Sequence, residues 1–368
     1  MSSRKVLLLI VLIVVVAAAG LWLYRTRKPE PHRAVVPVGT PVQIAAPLGL
    51  PPVPVPADNP PTAETIALGR RIYYDPILSV DNTISCATCH HPDFGFTDGK
   101  QFSEGVNGQL GGRNAPTIFN TAYFTTQFWD GREPSLEKQA EGPVQNPVEM
   151  AHTLEAVEKA MMADPSYVAA FEEAFGTGEI TYEMVEKAIA SFERTVVSGN
   201  SPFDRWQFGG DEKAVSTAVK RGFEVFRDPK QGNCTACHTV DEDYALFTDN
   251  KFHNLGVGAN IEGLLEDLGR YEVTQNDADR GAFKTPSLRN IAQTGPYMHD
   301  GTLKTLKDVI DFYIGGGNSN PHLDPEMKPL DFLTGQERAD LLAFLESLTG
   351  EMLLNVGPPE AEQAQSQQ

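Results

Sequence analysis

Apolar residues recur at helical spacing along much of the chain. Between Tyr182 and Val197 they fall at Val185, Ile189, Phe192 and Val196, one stripe of a helix. Thr334-Gly-Gln-Glu337 is a capping box ahead of Leu341, Leu342, Leu345 and Leu348. Thr305-x-x-Asp308 opens an amphipathic helix that runs to Ile314. Two further helix ends are written alike, Gly69-Arg-Arg-Ile-Tyr73-Tyr-Asp75-Pro76 and Gly222-Phe-Glu-Val-Phe226-Arg-Asp228-Pro229. Each has a small residue, an aromatic four positions on, and a Pro that stops the helix. No run alternates apolar and polar residues for any length. The pattern predicts a mainly α fold.

The first 61 residues break that pattern. Val6 to Tyr24 is 19 residues without a charge, preceded by Arg4 and Lys5 and followed by Arg25, Arg27 and Lys28. A spanning helix needs about 20 residues and a signal-peptide core roughly 7–15, so residues 1–28 read as a membrane anchor or a signal, with the length favouring an uncleaved transmembrane anchor. Residues 29–61 contain 11 prolines, which predicts a semi-rigid stalk outside the fold. At the other end, residues 351–368 read as a disordered tail.

Composition then bounds the function. The chain has 368 residues, enough for about two domains with cores of their own. It carries 49 acidic against 30 basic residues, a balance opposite to that of a nucleic-acid binder. Residues 1–28 hold five of the basic residues and no acidic ones. The acidity therefore belongs to the folded part, and it predicts a basic redox partner whose association weakens with salt.

The four cysteines decide the chemistry. All lie in one arrangement, Cys86-Ala-Thr-Cys89-His90 and Cys234-Thr-Ala-Cys237-His238. This spacing attaches a c-type haem: the thiols add to the vinyl groups and the adjacent His reaches the iron. Two thioredoxin-like redox pairs or a four-thiol zinc site are the competing readings. With so few His in the chain, one following both pairs by accident is roughly a 1-in-2,000 event, which favours haem. The repeated flanks and motifs predict two tandem cytochrome c-like domains, residues 62–209 and 210–350.

A haem with two protein ligands passes electrons, whereas one with an open face binds a small oxidant. From Asp93 to Pro116 there is no His or Met, so the first iron reads as open. For the second, His253, Met298, His299, Tyr313, His322 and Met327 are all downstream, and spacing does not choose among them.

The chain resembles the bacterial di-haem cytochrome c peroxidases and their MauG relatives over roughly residues 62–350. The resemblance is carried by Arg113-Asn-Ala-Pro-Thr117, Gln127-Phe-Trp-Asp-Gly-Arg132, Glu141-Gly-Pro-Val-Gln-Asn-Pro-Val-Glu-Met150, Thr285-Pro-Ser-Leu-Arg-Asn290 and Gly295-Pro-Tyr-Met-His-Asp-Gly301. It implies that hydrogen peroxide is reduced at the haem held by His90, in a pocket formed by Gln139, Pro143 and Glu149. It also implies that Trp129 carries oxidising equivalents between haems, and that Asn114 with the carbonyls of Thr294 and Pro296 holds a calcium ion. Two features point to the MauG branch. The place of a displaceable distal His falls near Val106, in a stretch without His. The place of the second iron's Met falls at Tyr313. Electrons would then come from a cytochrome or from Trp or Tyr side chains of a partner protein. The same resemblance implies a periplasmic catalytic part. The alternative is a di-haem electron carrier without peroxide chemistry.

Overall fold

The computed structural model describes residues 35–352, 354 and 356–359. The predicted anchor at residues 1–28 lies outside the described residues. Among those described, no helix is long and apolar enough to cross a membrane. Strands are only two residues long, so the mainly α expectation holds.

Seven helices of nine or more residues frame the described chain: α1 (Ala63–Tyr74), α2 (Leu154–Met162), α3 (Pro165–Phe175), α4 (Tyr182–Glu193), α5 (Thr217–Arg227), α6 (Leu306–Ile314) and α7 (Gly335–Glu346). The boxes expected at Thr305 and Thr334 cap α6 and α7. Helix α4 stops four residues short of Val197. The Thr195 hydroxyl donates back to the Phe192 carbonyl, and Asn120 takes the Val196 carbonyl and both backbone groups of Ser198. That turn frees Ser198–Gly199 to pair with Glu351–Met352.

The two repeated glycines are where helices cross. A Cβ on Gly69 would lie 1.8 Å from the Ala188 carbonyl oxygen of α4, and one on Gly222 would lie 1.9 Å from that of Asp340 on α7. Each module is thus an early helix pressed backbone-to-backbone on a late one, which only Gly permits. The aromatic four positions on enters the core: Tyr73 with Phe96, Phe119 and Phe192 in the first module, Phe226 with Phe247, Phe223 and Phe344 in the second. Gly69→Ala is expected to cost about 1–3 kcal/mol of stability by forcing these backbones apart. Chemical denaturation measures it, and an unchanged midpoint would mean the crossing is not tight.

Two expectations about the ends are corrected. Described residues of the proline-rich stretch are part of the fold. The Tyr123 hydroxyl donates to the Pro51 carbonyl, Ala245 donates its N–H to the Gly49 carbonyl, and Val42 donates to the Pro61 carbonyl. Proline lacks a donor but keeps its carbonyl, so an extended segment can be bound through its acceptors alone. The start of the tail is also ordered. Val356 is buried with Tyr73 and Phe192, and its carbonyl accepts from the Tyr74 hydroxyl at 2.7 Å.

Candidate functional site

Each Cys-x-x-Cys-His motif follows its module's first helix, the first after an intervening 3-10 turn at Pro76–Leu78. The Cys86–Cys89 turn is opened by Ser85, and His90 closes it. The His90 Nδ1 lies 3.3 Å from the Phe96 carbonyl, and the Tyr73 hydroxyl holds the His90 carbonyl at 2.6 Å. In the second motif the His238 Nδ1 lies 2.8 Å from the Phe247 carbonyl. An Nδ1–H on a carbonyl fixes the ring and leaves Nε2 as the ligating nitrogen. Burial holds both imidazoles below their usual pKa, so they are neutral. It also pushes up the thiols of Cys89, to about 11, and Cys234, to about 12. Paired thiols beside an oriented imidazole fit a covalently held haem at each motif.

The structure reveals a second repeat, with an offset of 170 residues. Asn120 and Asn290 both adopt left-handed backbone ahead of a short 3-10 turn. Phe128 and Met298 share positive φ, as do Gly131 and Gly301. The bridge Gln127–Glu133 matches Tyr297–Leu303. Ser135 and Thr305 then cap the helical segments that follow. In this register Tyr313 on α6 corresponds to Pro143. Tyr313 lies by Cys234 and Cys237, and burial raises the pKa of its phenol. Pro143 offers no side-chain donor for a metal.

Glu149 precedes Met150, whose N–H donates to the Pro143 carbonyl at 3.2 Å. Its Oε1 accepts from the Asn146 amide at 2.6 Å, and the peptide of Val106 donates to its carbonyl at 2.8 Å. Val106 itself is 1% exposed. Burial raises the carboxyl's pKa, opposed by the Asn146 bond and by the charge of Arg132. Glu149 in turn acts on Cys89, which places it by the first motif. Gln139 ends the one-turn helix Leu136–Gln139 and is part-buried.

Trp129 lies where the modules meet. Its indole N–H donates to the Asn114 carbonyl at 2.9 Å, and its own carbonyl accepts from the Lys284 N–H at 2.8 Å. Around it Arg113 binds Asp130 and forks onto Asp267 at 2.7 and 2.8 Å. Arg270 donates to the carbonyls of Asp130 and Gly131. Burial pulls Lys284 down to about 7, opposed by the charge of Asp130.

Of the other candidates, His253 stands by the second motif, where it interacts with Cys237, and it is held by Asp324 at 2.6 Å and Asp249 at 3.1 Å. His299 stacks on Phe283 with ring centroids 3.6 Å apart. Asn114 is brought to the 294–299 loop, donating its N–H to the His299 carbonyl at 2.7 Å. Its side-chain nitrogen donates to the Lys100 carbonyl, which leaves Oδ1 as an acceptor, and Pro296 lines a cavity of about 610 Å³ nearby. Among the described residues, no cluster of three or more His, Cys, Asp or Glu could hold a metal.

Residues 63–213 match the family model described as di-haem cytochrome c peroxidase, and residues 219–349 match that of cytochrome c. The methylamine utilization protein MauG of Methylorubrum extorquens is 44% identical over 302 residues, covering 81% of this chain and 82% of that protein. The chain belongs to the di-haem cytochrome c peroxidase/MauG family. Cytochrome-c peroxidase IdrP1 of Denitromonas iodatirespirans is 40% identical, covering 82% of this chain and 86% of its own length. Among solved structures, a MauG-like protein associated with microbial copper homeostasis is 35% identical, with a TM-score of 0.73 over 83% of this chain and 95% of that one. A member of this family is a haem oxidoreductase of the peroxidase type, with two cytochrome c modules, two c-type haems and a redox partner. Sequence reasoning missed Lys284 and the Asp267 partner of Arg113. The recurrence of Asp130-Gly131 at Asp300-Gly301 was the available signal for the 170-residue repeat that aligns these segments.

Proposed function

We propose that hydrogen peroxide is reduced on the His90 side and that the His238 side, with Tyr313 as second ligand, stores and passes on the oxidising equivalents. The observation that carries this reading is the pairing of Pro143 with Tyr313 in the 170-residue repeat. Where the second module presents a phenol, the first presents a ring without a donor atom, and the Val106 loop brings no His in its place. When bound, the haem supplies iron that can accept oxidising equivalents from peroxide.

The chain's own groups do the rest. Glu149 carries a proton from the nearer to the farther peroxide oxygen, work suited to a carboxyl whose pKa burial has raised. Asn146 aims that carboxyl, and Gln139 orients the peroxide. Tyr313, a phenol raised by burial, ionises only against a cation such as iron, and an anionic oxygen favours the oxidised metal. Trp129, hydrogen-bonded to one module and clamped by the other, relays electrons between them. The electrons come from a basic cytochrome or from Trp or Tyr of a partner protein, and Tyr313 favours the latter, MauG-type use. A calcium ion on Asn114 Oδ1 and the carbonyls of Thr294 and Pro296 would pin the junction. The catalytic part would be periplasmic, tethered by residues 1–28, since bacteria attach c-type haem outside the cytoplasmic membrane.

Electron paramagnetic resonance of the resting ferric protein tests the reading. A high-spin signal from the first iron is expected without prior reduction, alongside peroxide consumption that needs no activation. A purely low-spin spectrum would return the chain to the electron-carrier reading.

A further inference from the structure

We infer that Lys284 is the positioning residue of Trp129, strapping the relay segment to the second module and setting by its charge how costly the indole is to oxidise. The inference rests on the relay reading of Trp129. Lys284 lies on the short strand Phe283–Lys284, which pairs with Phe252–His253. Its backbone N–H holds the Trp129 carbonyl at 2.8 Å, and its Nζ donates to the Thr126 carbonyl at 2.6 Å. One residue of the second module thus grips both ends of residues 126–129. The ammonium also sits 4.3 Å from the centre of the Phe124 ring, and the residue is 7% exposed.

Among the described residues this cation has no carboxylate of its own. Asp130 is the charge that acts on it, and Asp130 is already shared by Arg113 and Arg132. Arg270 adds a further cation on the Asp130 and Gly131 carbonyls. On the paired strand and the turn before it, Lys251 and His253 are spent on Asp249, and His253 also on Asp324. A buried ammonium without its own carboxylate repels any positive charge placed on the indole of the segment it grips. In each passage Trp129 loses one electron to the first module and regains one from the second, so the step consumes no proton. A neutral amine removes the repulsion, and since burial brings Lys284 to about 7, transfer should quicken as pH rises through neutrality.

The test uses the haem-loaded full chain and follows electron equilibration between the two haems in a single turnover. From pH 6 to pH 8 the wild-type rate is expected to rise up to about tenfold, the change in neutral fraction for a group titrating near 7. Lys284→Arg should stay at the low-pH rate, and Lys284→Met should show no pH step. A second readout is independent of turnover. A lysine whose folded pKa lies below its unfolded value makes stability rise with pH between the two, so the wild-type thermal midpoint should climb from pH 7 to pH 9 relative to Lys284→Met. A pH step that persists in both variants, while Trp129→Phe still slows transfer, overturns the inference. Unchanged transfer in Trp129→Phe would instead overturn the relay reading, and the thermal comparison would still judge the charge of Lys284.

Discussion

Replacing Glu149 by Gln is expected to lower peroxide turnover by about 10²–10⁴-fold, the usual worth of a positioned general acid–base group. The amide keeps the side chain's length and can still contact Asn146, so the pocket should keep its shape. What it cannot do is take a proton and give it back. Haem content and the thermal midpoint should therefore be unchanged while kcat/KM for peroxide falls. The pH profile supplies a sharper signature. Glu149 must begin as a carboxylate, so the wild-type rate should fall as pH drops through its pKa. Burial places that acid limb above the ordinary glutamate value of about 4.3. Asn146 opposes the shift by donating to Oε1, so Asn146→Ala should move the limb still higher. The Gln variant should have no such limb. Turnover within about twofold of wild type in Glu149→Gln would remove Glu149 from the mechanism.

Much of this arrangement was legible in the amino-acid sequence, for identifiable reasons. Haem attachment shows because it is local: two thiols and an imidazole must lie within five residues, and covalent geometry writes that spacing into the chain. Helices α4, α6 and α7 show because apolar stripes and capping boxes are local too. What sits across the fold is hidden. Arg113 and Asp267 are separated by 154 residues and meet only when the modules dock. Lys284 reads as one more charged residue of a polar stretch, and nothing nearby in sequence marks it as buried. The proline-rich lead misleads for a related reason. Proline content reports the missing donors, whereas packing of that segment uses its acceptors, and those depend on distant partners such as Tyr123 and Arg289. The end of α4 is set by Asn120, far upstream, together with the back-bond of Thr195, and a lone Thr does not mark a helix end in the sequence.

Arg289→Met should cost about 3–5 kcal/mol of stability, because it leaves Asp204 buried and charged without its partner. Arg289 is 2% exposed and Asp204 is fully buried. The guanidinium forks onto Asp204 at 2.9 and 3.0 Å and donates to the carbonyls of Ala245 and Gly49. Asp204 also accepts from the backbone and hydroxyl of Ser201. One arginine therefore joins the lead segment, the helix cap at Ser201 and the loop that follows the second haem motif. That loop matters beyond stability. Two residues after Ala245, the Phe247 carbonyl holds the Nδ1 of His238, so slack at Ala245 reaches the ring expected to ligate the second iron. Thermal or denaturant unfolding should register the loss, and the absorption bands of the second haem should broaden or shift while the first module's do not. Asp204→Asn in the same background should recover part of the cost, since it removes the stranded charge and keeps an acceptor for Ser201. A double-mutant cycle with little coupling, or a single-variant cost under about 1 kcal/mol, would mean that water replaces the guanidinium and that the node does not hold the loop.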